Sequence, residues 1–224
     1  THMGLDLFDR VLDEVKPLKV SLNGFGETFL NPHVFEMIDH AAQAGAHIVT
    51  STNGSFLARD SEHLSDCKLS VLRVSLDSAT PETYLAIRGK ENFEEVTDNI
   101  STLVRLAMKR GNQMTIRLEF VIQNQNQREI EDFVKLAARL GVKFAYFQIY
   151  SEPSRNKKIK VVGGFDHDGL GQELRKAAQT ASRLGVNTNL RTLLVDLEAI
   201  RTIYEGRAPA HSGVCINPWI TSYI

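Results

Sequence analysis

The sequence predicts an α/β fold in which parallel strands, each followed by a helix, curve into a partial (β/α)6 TIM-like barrel. Two observations carry that prediction. First, helical patterns ending in glycine, at Ala44-Gly45, Arg110-Gly111, Leu140-Gly141 and Leu184-Gly185, alternate with short strand-like runs such as HIVTSTNG, MTIRLEFVI and FAYFQIY. Each glycine suits the left-handed cap of a helix, and strands alternating with helices argue for parallel βα units. Second, the strands alternate apolar with polar residues, whereas parallel strands covered on both faces are near-continuously apolar. Ile116, Leu118, Phe120 and Ile122 oppose Arg117 and Glu119, and Leu72, Val74 and Leu76 oppose Arg73, Ser75 and Asp77. With helices over the apolar face, the polar face lines an interior, and Lys19, Ser21, Asn23, Asn53, Tyr146, Gln148 and Tyr150 join it. The alternative for Arg73 and Arg117 is a buried ion-pair network with Glu119 or Asp77 that stiffens the barrel and binds nothing.

Composition bounds what such a fold does. The 224 residues, 42% hydrophobic and 24% charged, suffice for one substantial core. Lys plus Arg (26) nearly balance Asp plus Glu (27), and a net charge of -1 disfavours nucleic acid as a partner. No apolar run approaches the ~20 residues of a membrane span. Cys67 and Cys215 make no disulfide framework, which suits a reducing, cytoplasmic compartment. Thr1-His2-Met3 reads as a cloning remnant, residues 1–3, ahead of the barrel domain.

Along the chain, Phe8, Val11, Leu12 and Val15 form one helical stripe that Pro17 ends. KVSLNGFGETFLNP, residues 19–32, follows as strand, glycine-rich turn, carboxylate and helix opening. Gly24 and Gly26 let a ligand approach the main chain, and Glu27 beside them can accept hydrogen bonds from an ammonium group. The plain alternative is a tight connection with Glu27 as a first-turn acid. Thr80-Pro81-Glu82 opens one helix and Asn92 caps the next, which begins at Phe93. Residues 151–169 read as a long loop, basic between Arg155 and Lys160, and helices over 171–184 and 192–204 flank a short strand, 186–190.

Four strand ends carry suggestive chemistry together: Gly24 to Glu27, Thr52-Asn53-Gly54, Ser75-Leu76-Asp77, and Gln123 to Asn126. Such folds keep their sites at strand C-terminal ends, and amides, hydroxyls and carboxylates on one rim can hold a polar nucleoside-like ligand.

The series GFGETFLNP, TSTNGSFL, VSLDSATPETYLAIRGKENFEEV and FVIQNQNQREI resembles the core of the radical S-adenosylmethionine (radical SAM) enzymes over roughly residues 5–150. The resemblance implies that Gly24, Gly26 and Glu27 bind the amino group of S-adenosylmethionine, and that Asn53, Ser75, Asp77 and Arg88 help hold its ribose and carboxylate ends. It implies homolytic cleavage of S-adenosylmethionine to a 5'-deoxyadenosyl radical in the full-length parent, at a [4Fe-4S] cluster. The family's Cys-x-x-x-Cys-x-x-Cys does not occur here, and Cys67 is expected on the wrong rim, so the given chain is expected to bind no cluster. A βα chain should open with a strand, yet this one opens on a helix, and it stops as an apolar stretch begins. The first strand with its cluster loop is therefore expected to be missing, leaving residues 19–23 an edge open to a neighbouring molecule in a dimer or crystal. Cys215-Ile216-Asn217-Pro218-Trp219 resembles the start of a SPASM-type auxiliary-cluster extension, assigned to residues 213–224 after a barrel domain of 4–212. That makes Cys215 a possible cluster ligand in the parent and a peptide or protein a possible substrate.

Other function classes fit less well. A Schiff-base aldolase needs a lysine at a strand's C-terminal end, but Lys19 and Lys143 sit at strand starts. A metal-dependent barrel enzyme wants converging histidines, but His33, His40 and His63 fall outside the strand ends. A non-catalytic module that grips a nucleoside or peptide is the remaining alternative.

Overall fold

The computed structural model of the protein describes residues 2–24, 26–149, 167–195 and 197. Tyr150, the basic loop, most of the helix expected over 192–204, and Cys215 lie outside them. Helix α1 (Leu5–Val15) precedes β1 (Lys19–Leu22), then α2 (Val34–Gln43), β2 (His47–Thr52), α3 (Leu57–Asp66) and β3 (Val71–Ser75). Two helices, α4 (Pro81–Arg88) and α5 (Phe93–Arg110), lead to β4 (Thr115–Ile122), α6 (Ile130–Arg139), β5 (Phe144–Ile149), α7 (His167–Leu184) and β6 (Asn187–Thr188). Residues 190–195 are helical again.

Among the described residues the five strand pairings are all parallel, in the order β1-β2-β3-β4-β5-β6. Among the described residues β1 pairs only with β2 and β6 only with β5, so the sheet has two edges and forms a partial (β/α)6 barrel. Edge position of residues 19–23 agrees with the sequence reading.

Local chemistry accounts for the element ends. Gly45, Gly111, Gly141 and Gly185 all adopt positive φ, as left-handed helix ends require. Thr80 Oγ1 accepts from the backbone N–H of Thr83 at 3.3 Å, and Pro81 occupies the first turn, where its missing N–H costs nothing. Asn92 stands at the N-cap of α5 but makes no capping hydrogen bond, correcting the sequence expectation, because its φ/ψ of -109°/32° departs from the extended geometry that aims a cap side chain at the first turn.

The alternation within strands decides the layers. Leu72, Val74, Leu118, Phe120, Ile122 and Phe147 face the helices and are buried, with Phe120, Phe133 and Phe147 packing ring to ring at 4.6–5.7 Å between centroids. The opposite face carries Arg73, Ser75, Arg117, Glu119 and Tyr146, all only half-buried. The register aligns these polar residues in rows, Arg73 beside Arg117 and Ser75 beside Glu119 beside Tyr146. One face makes the core and the other is left for a site.

Candidate functional site

The C-terminal ends of β1 and β2 are tied together by Glu27. Its Oε2 accepts from the Asn53 backbone N–H at 2.7 Å, and its Oε1 accepts from Phe29 N–H at 3.4 Å, capping a short 3-10 turn, Thr28–Leu30. A carboxylate offers about four lone-pair sites, so two backbone donors leave capacity for a charged donor from a ligand. Glu27 is half-buried, between the desolvation that strengthens such a bond and the access it needs.

The glycines beside it leave space. Gly24 and Gly26 are exposed, and a Cβ on either would meet no atom within 4 Å. Gly26 has φ +103°, outside the range most side chains tolerate, so the turn itself calls for glycine there. The turn borders a cavity of about 310 Å³ whose floor is Leu22, Val34 and Met37, and Met3 is held near it by a hydrogen bond from Asn31 Nδ2 to its carbonyl at 3.2 Å. Together these features offer an acceptor for a cationic donor and backbone without side chains alongside.

Neighbouring rim groups are already engaged. Asn53 Oδ1 accepts from Ser55 N–H at 2.9 Å, and Asn23 Oδ1 accepts from Ser51 N–H at 2.9 Å and Ser51 Oγ at 2.6 Å. Asp77, with φ +61°, lies 5% exposed; Oδ1 accepts from Val121 N–H at 2.7 Å and Oδ2 from Arg88. Burial pushes its carboxyl up, against the pull of Arg88 and the Val121 N–H. Asp77 and Arg88 are therefore brought together with each other, while Ser75 opens onto the inner face in the same row as Glu119. Buried Asn126 clamps this corner by donating to the carbonyls of Asp77 and Val121, each at 2.8 Å.

One rim residue escaped the sequence reading. Glu129 accepts from Ala79 N–H at 2.8 Å, Thr80 Oγ1 at 3.0 Å and Thr83 Oγ1, pinning the start of α4 beside the site. Its partners are 46–50 residues away in the chain, and no local signal marks them.

The described residues do not fit an iron-sulfur cluster. Their one cysteine, Cys67, is buried between α3 and β3 at the opposite end of the strands, its thiol pushed up by burial. No group of three or more His, Cys, Asp or Glu side chains among them could hold a metal ion. A larger cavity of about 550 Å³ opens at that same far end, beside Cys67 and the helix-to-strand connections, away from the rim. Three histidines outside the strand ends are engaged elsewhere: His33 meets Glu36, His40 meets Asp9, and His63 stacks on Phe35 at 3.9 Å. No helix among the described residues is long and apolar enough to cross a membrane.

A family model described as the radical SAM superfamily matches residues 2–137. The chain is 33% identical over 148 residues to a GTP 3',8-cyclase of Limosilactobacillus fermentum, covering 58% of this chain and 43% of that relative. It is also similar to the structure of Streptococcus suis SuiB bound to precursor peptide SuiA, with TM-score 0.67 and 16% identity over 84% of this chain and 42% of that one. A third likeness is to anSMEcpe with bound AdoMet and Cp18Cys peptide, with TM-score 0.63 and 17% identity over 94% of this chain and 61% of that one. The chain spans about two-fifths of the length of the curated relatives it matches, 38–43%.

Proposed function

The chain belongs to the radical SAM superfamily, and from that premise we propose that the rim of β1 and β2 holds S-adenosylmethionine, with Glu27 receiving its ammonium group and Gly24 and Gly26 admitting its amino-acid end. Glu27 carries the reading: it is fixed by two backbone donors yet keeps open acceptor sites beside two exposed glycines. Ser75 and Asn53 stand along the same rim, where a ribose would lie. Asp77 and Arg88 act there as a joined pair, Arg88 sharing its charge between Asp77 and the carboxylate end of the ligand.

S-adenosylmethionine bound in this way is the family's source of a 5'-deoxyadenosyl radical, generated with an electron from a [4Fe-4S] cluster. In this reading that cluster and its ligands belong to the full-length parent outside the described residues. The described residues bind and orient the cofactor, and the barrel wall excludes water from it. A peptide or protein substrate is the class favoured in this reading, supported by the peptides bound in the SuiB and anSMEcpe structures and by the Cys215 stretch, which lies outside the described residues.

The test is a titration of the 15N-labelled chain with S-adenosylmethionine. Saturable shifts of the Gly24, Gly26 and Asn53 amides, reduced in Glu27→Gln and retained in the far-end control Asp66→Ala, are expected. Shifts confined to other parts of the chain would overturn the assignment.

A further inference from the structure

The inner face below the rim holds a charge arrangement that the cofactor reading does not use. Arg73 and Arg117 are register partners on adjacent strands, so two guanidinium groups sit side by side. Like charges directly opposite one another in a sheet are destabilising unless something answers both. Glu119 is the nearby carboxylate, and Arg117 monopolises it: Arg117 Nε and its terminal nitrogen both lie 2.7 Å from Glu119 Oε1. Arg117 also lies over the Tyr146 ring, 4.6 Å from its centroid, which fixes it further.

Arg73 is left short. Its Nε reaches Glu119 only at 4.0 Å, beyond hydrogen-bonding distance, and is buried with no hydrogen-bond partner among the described residues. Burial, with Arg117 adding to it, pulls the Arg73 guanidinium below its ordinary range, the signature of a cation without sufficient anions around it. Among the described residues, two arginines against one glutamate leave a surplus positive charge. The Arg73 side chain is 32% exposed and that of Arg117 25%, so the pair can be reached from the interior.

We propose that Arg73, supported by Arg117, is the receptor for an oxyanion, a carboxylate or phosphate carried by the molecule on which the parent enzyme acts. The planar guanidinium fork matches both groups with paired N–H donors. An anion seated there supplies the missing partner of Arg73 Nε and answers the like-charge pair. Ser75, one pleat nearer the rim in the row of Glu119, places this anchor directly beneath the position assigned to the cofactor. The substrate would thus be held by its charged end below, with its reacting part toward the cofactor. This deepens the function proposed above and rests on its reading of the inner face as the reaction chamber.

The test follows the arginine Nε–H resonances of the full chain during titration, at constant ionic strength, with inorganic phosphate, with acetate and with chloride. Phosphate or acetate should shift the Arg73 Nε–H saturably while chloride does not, and whichever binds more tightly identifies the substrate's group. Arg73→Gln, followed at the Nε–H of its register partner Arg117, should weaken that binding about tenfold, as the loss of a charge-assisted hydrogen bond implies. Arg73→Lys, which keeps the charge without the fork, should recover only part of it. S-adenosylmethionine binding should be unchanged in both variants, so a chain that binds oxyanions but not the cofactor defeats the function reading alone. An Arg73 Nε–H that responds identically to all three anions overturns the proposal.

Discussion

Asn53 donates its backbone N–H to Glu27 Oε2 at 2.7 Å, joining the ends of two adjacent strands through a side chain rather than through the sheet. The same carboxylate that we propose as the ligand's acceptor therefore also holds the rim in shape. A variant must separate the two tasks.

Glu27→Gln keeps an amide oxygen for the Asn53 N–H but loses the negative charge. Affinity for S-adenosylmethionine should fall about ten- to a hundredfold, the value of a charge-assisted hydrogen bond to an ammonium, while the unfolding midpoint changes little. Glu27→Ala should lose both the affinity and ~1 kcal/mol of stability. Calorimetric titration and urea unfolding on the three proteins check this, and unchanged affinity in Glu27→Gln would reduce the turn to a connection.

Gly26 and Gly54 make an internal contrast. Both have positive φ, but a Cβ on Gly54 would stand 2.7 Å from Val96 Cγ1, while one on Gly26 would touch nothing. Gly54→Ala should cost about 3 kcal/mol from strain and overpacking together, and Gly26→Ala about 1 kcal/mol from strain alone. Gly26→Ala should nevertheless impair cofactor binding, because the added methyl fills the approach to the main chain. Equal unfolding free energies for the two variants would contradict this account.

Asp77 and Arg88 form a largely buried pair, with side chains 8% and 27% exposed. Asp77→Asn tolerates the left-handed backbone and leaves an acceptor for Val121 N–H, so its cost reports the lost ion pair, and because burial already opposes the Asp77 charge that cost should be only about 1 kcal/mol. Adding Arg88→Gln should cost less than it does alone, since the stranded cation has gone. Strict additivity in urea unfolding of the four proteins would show that the two residues do not act together.

Glu131 on α6 accepts from Lys176 Nζ at 2.8 Å and Thr180 Oγ1 at 2.9 Å, and meets Lys135 at 3.4 Å. These partners, Lys176 foremost, hold its carboxyl down at about 2. A carboxyl depressed in the folded state contributes stability that is present above its unfolded pKa, about 4.3, and is lost as pH falls through the folded value. Because Lys135 and Lys176 are exposed, solvent screening limits the contribution to about 1 kcal/mol. Glu131→Gln should therefore be less stable than the parent at pH 7, with the difference shrinking between pH 4 and pH 2. A difference independent of pH would assign the effect to packing.

The sequence by itself determined the kind of fold and its strand faces. Alternation in residues 115–122 distinguishes the core face from the interior face, and glycines 45, 111, 141 and 185 end helices, because both signals act between residues close in the chain. The glycine-rich turn at Gly24 and Gly26 was legible as a turn for the same reason, while the role proposed for Glu27 came from the resemblance of the whole series of strand ends to a family. Only the tertiary structure decided which polar groups meet. That Glu119 serves Arg117 and fails Arg73, that Asp77 takes Arg88, and that Glu129 fastens the start of α4 depend on register and packing between elements that are distant in sequence. Hydrogen bonds and ion pairs act over a few ångströms, so a polar residue's role is set by whichever neighbours the folded strands and helices bring within that reach.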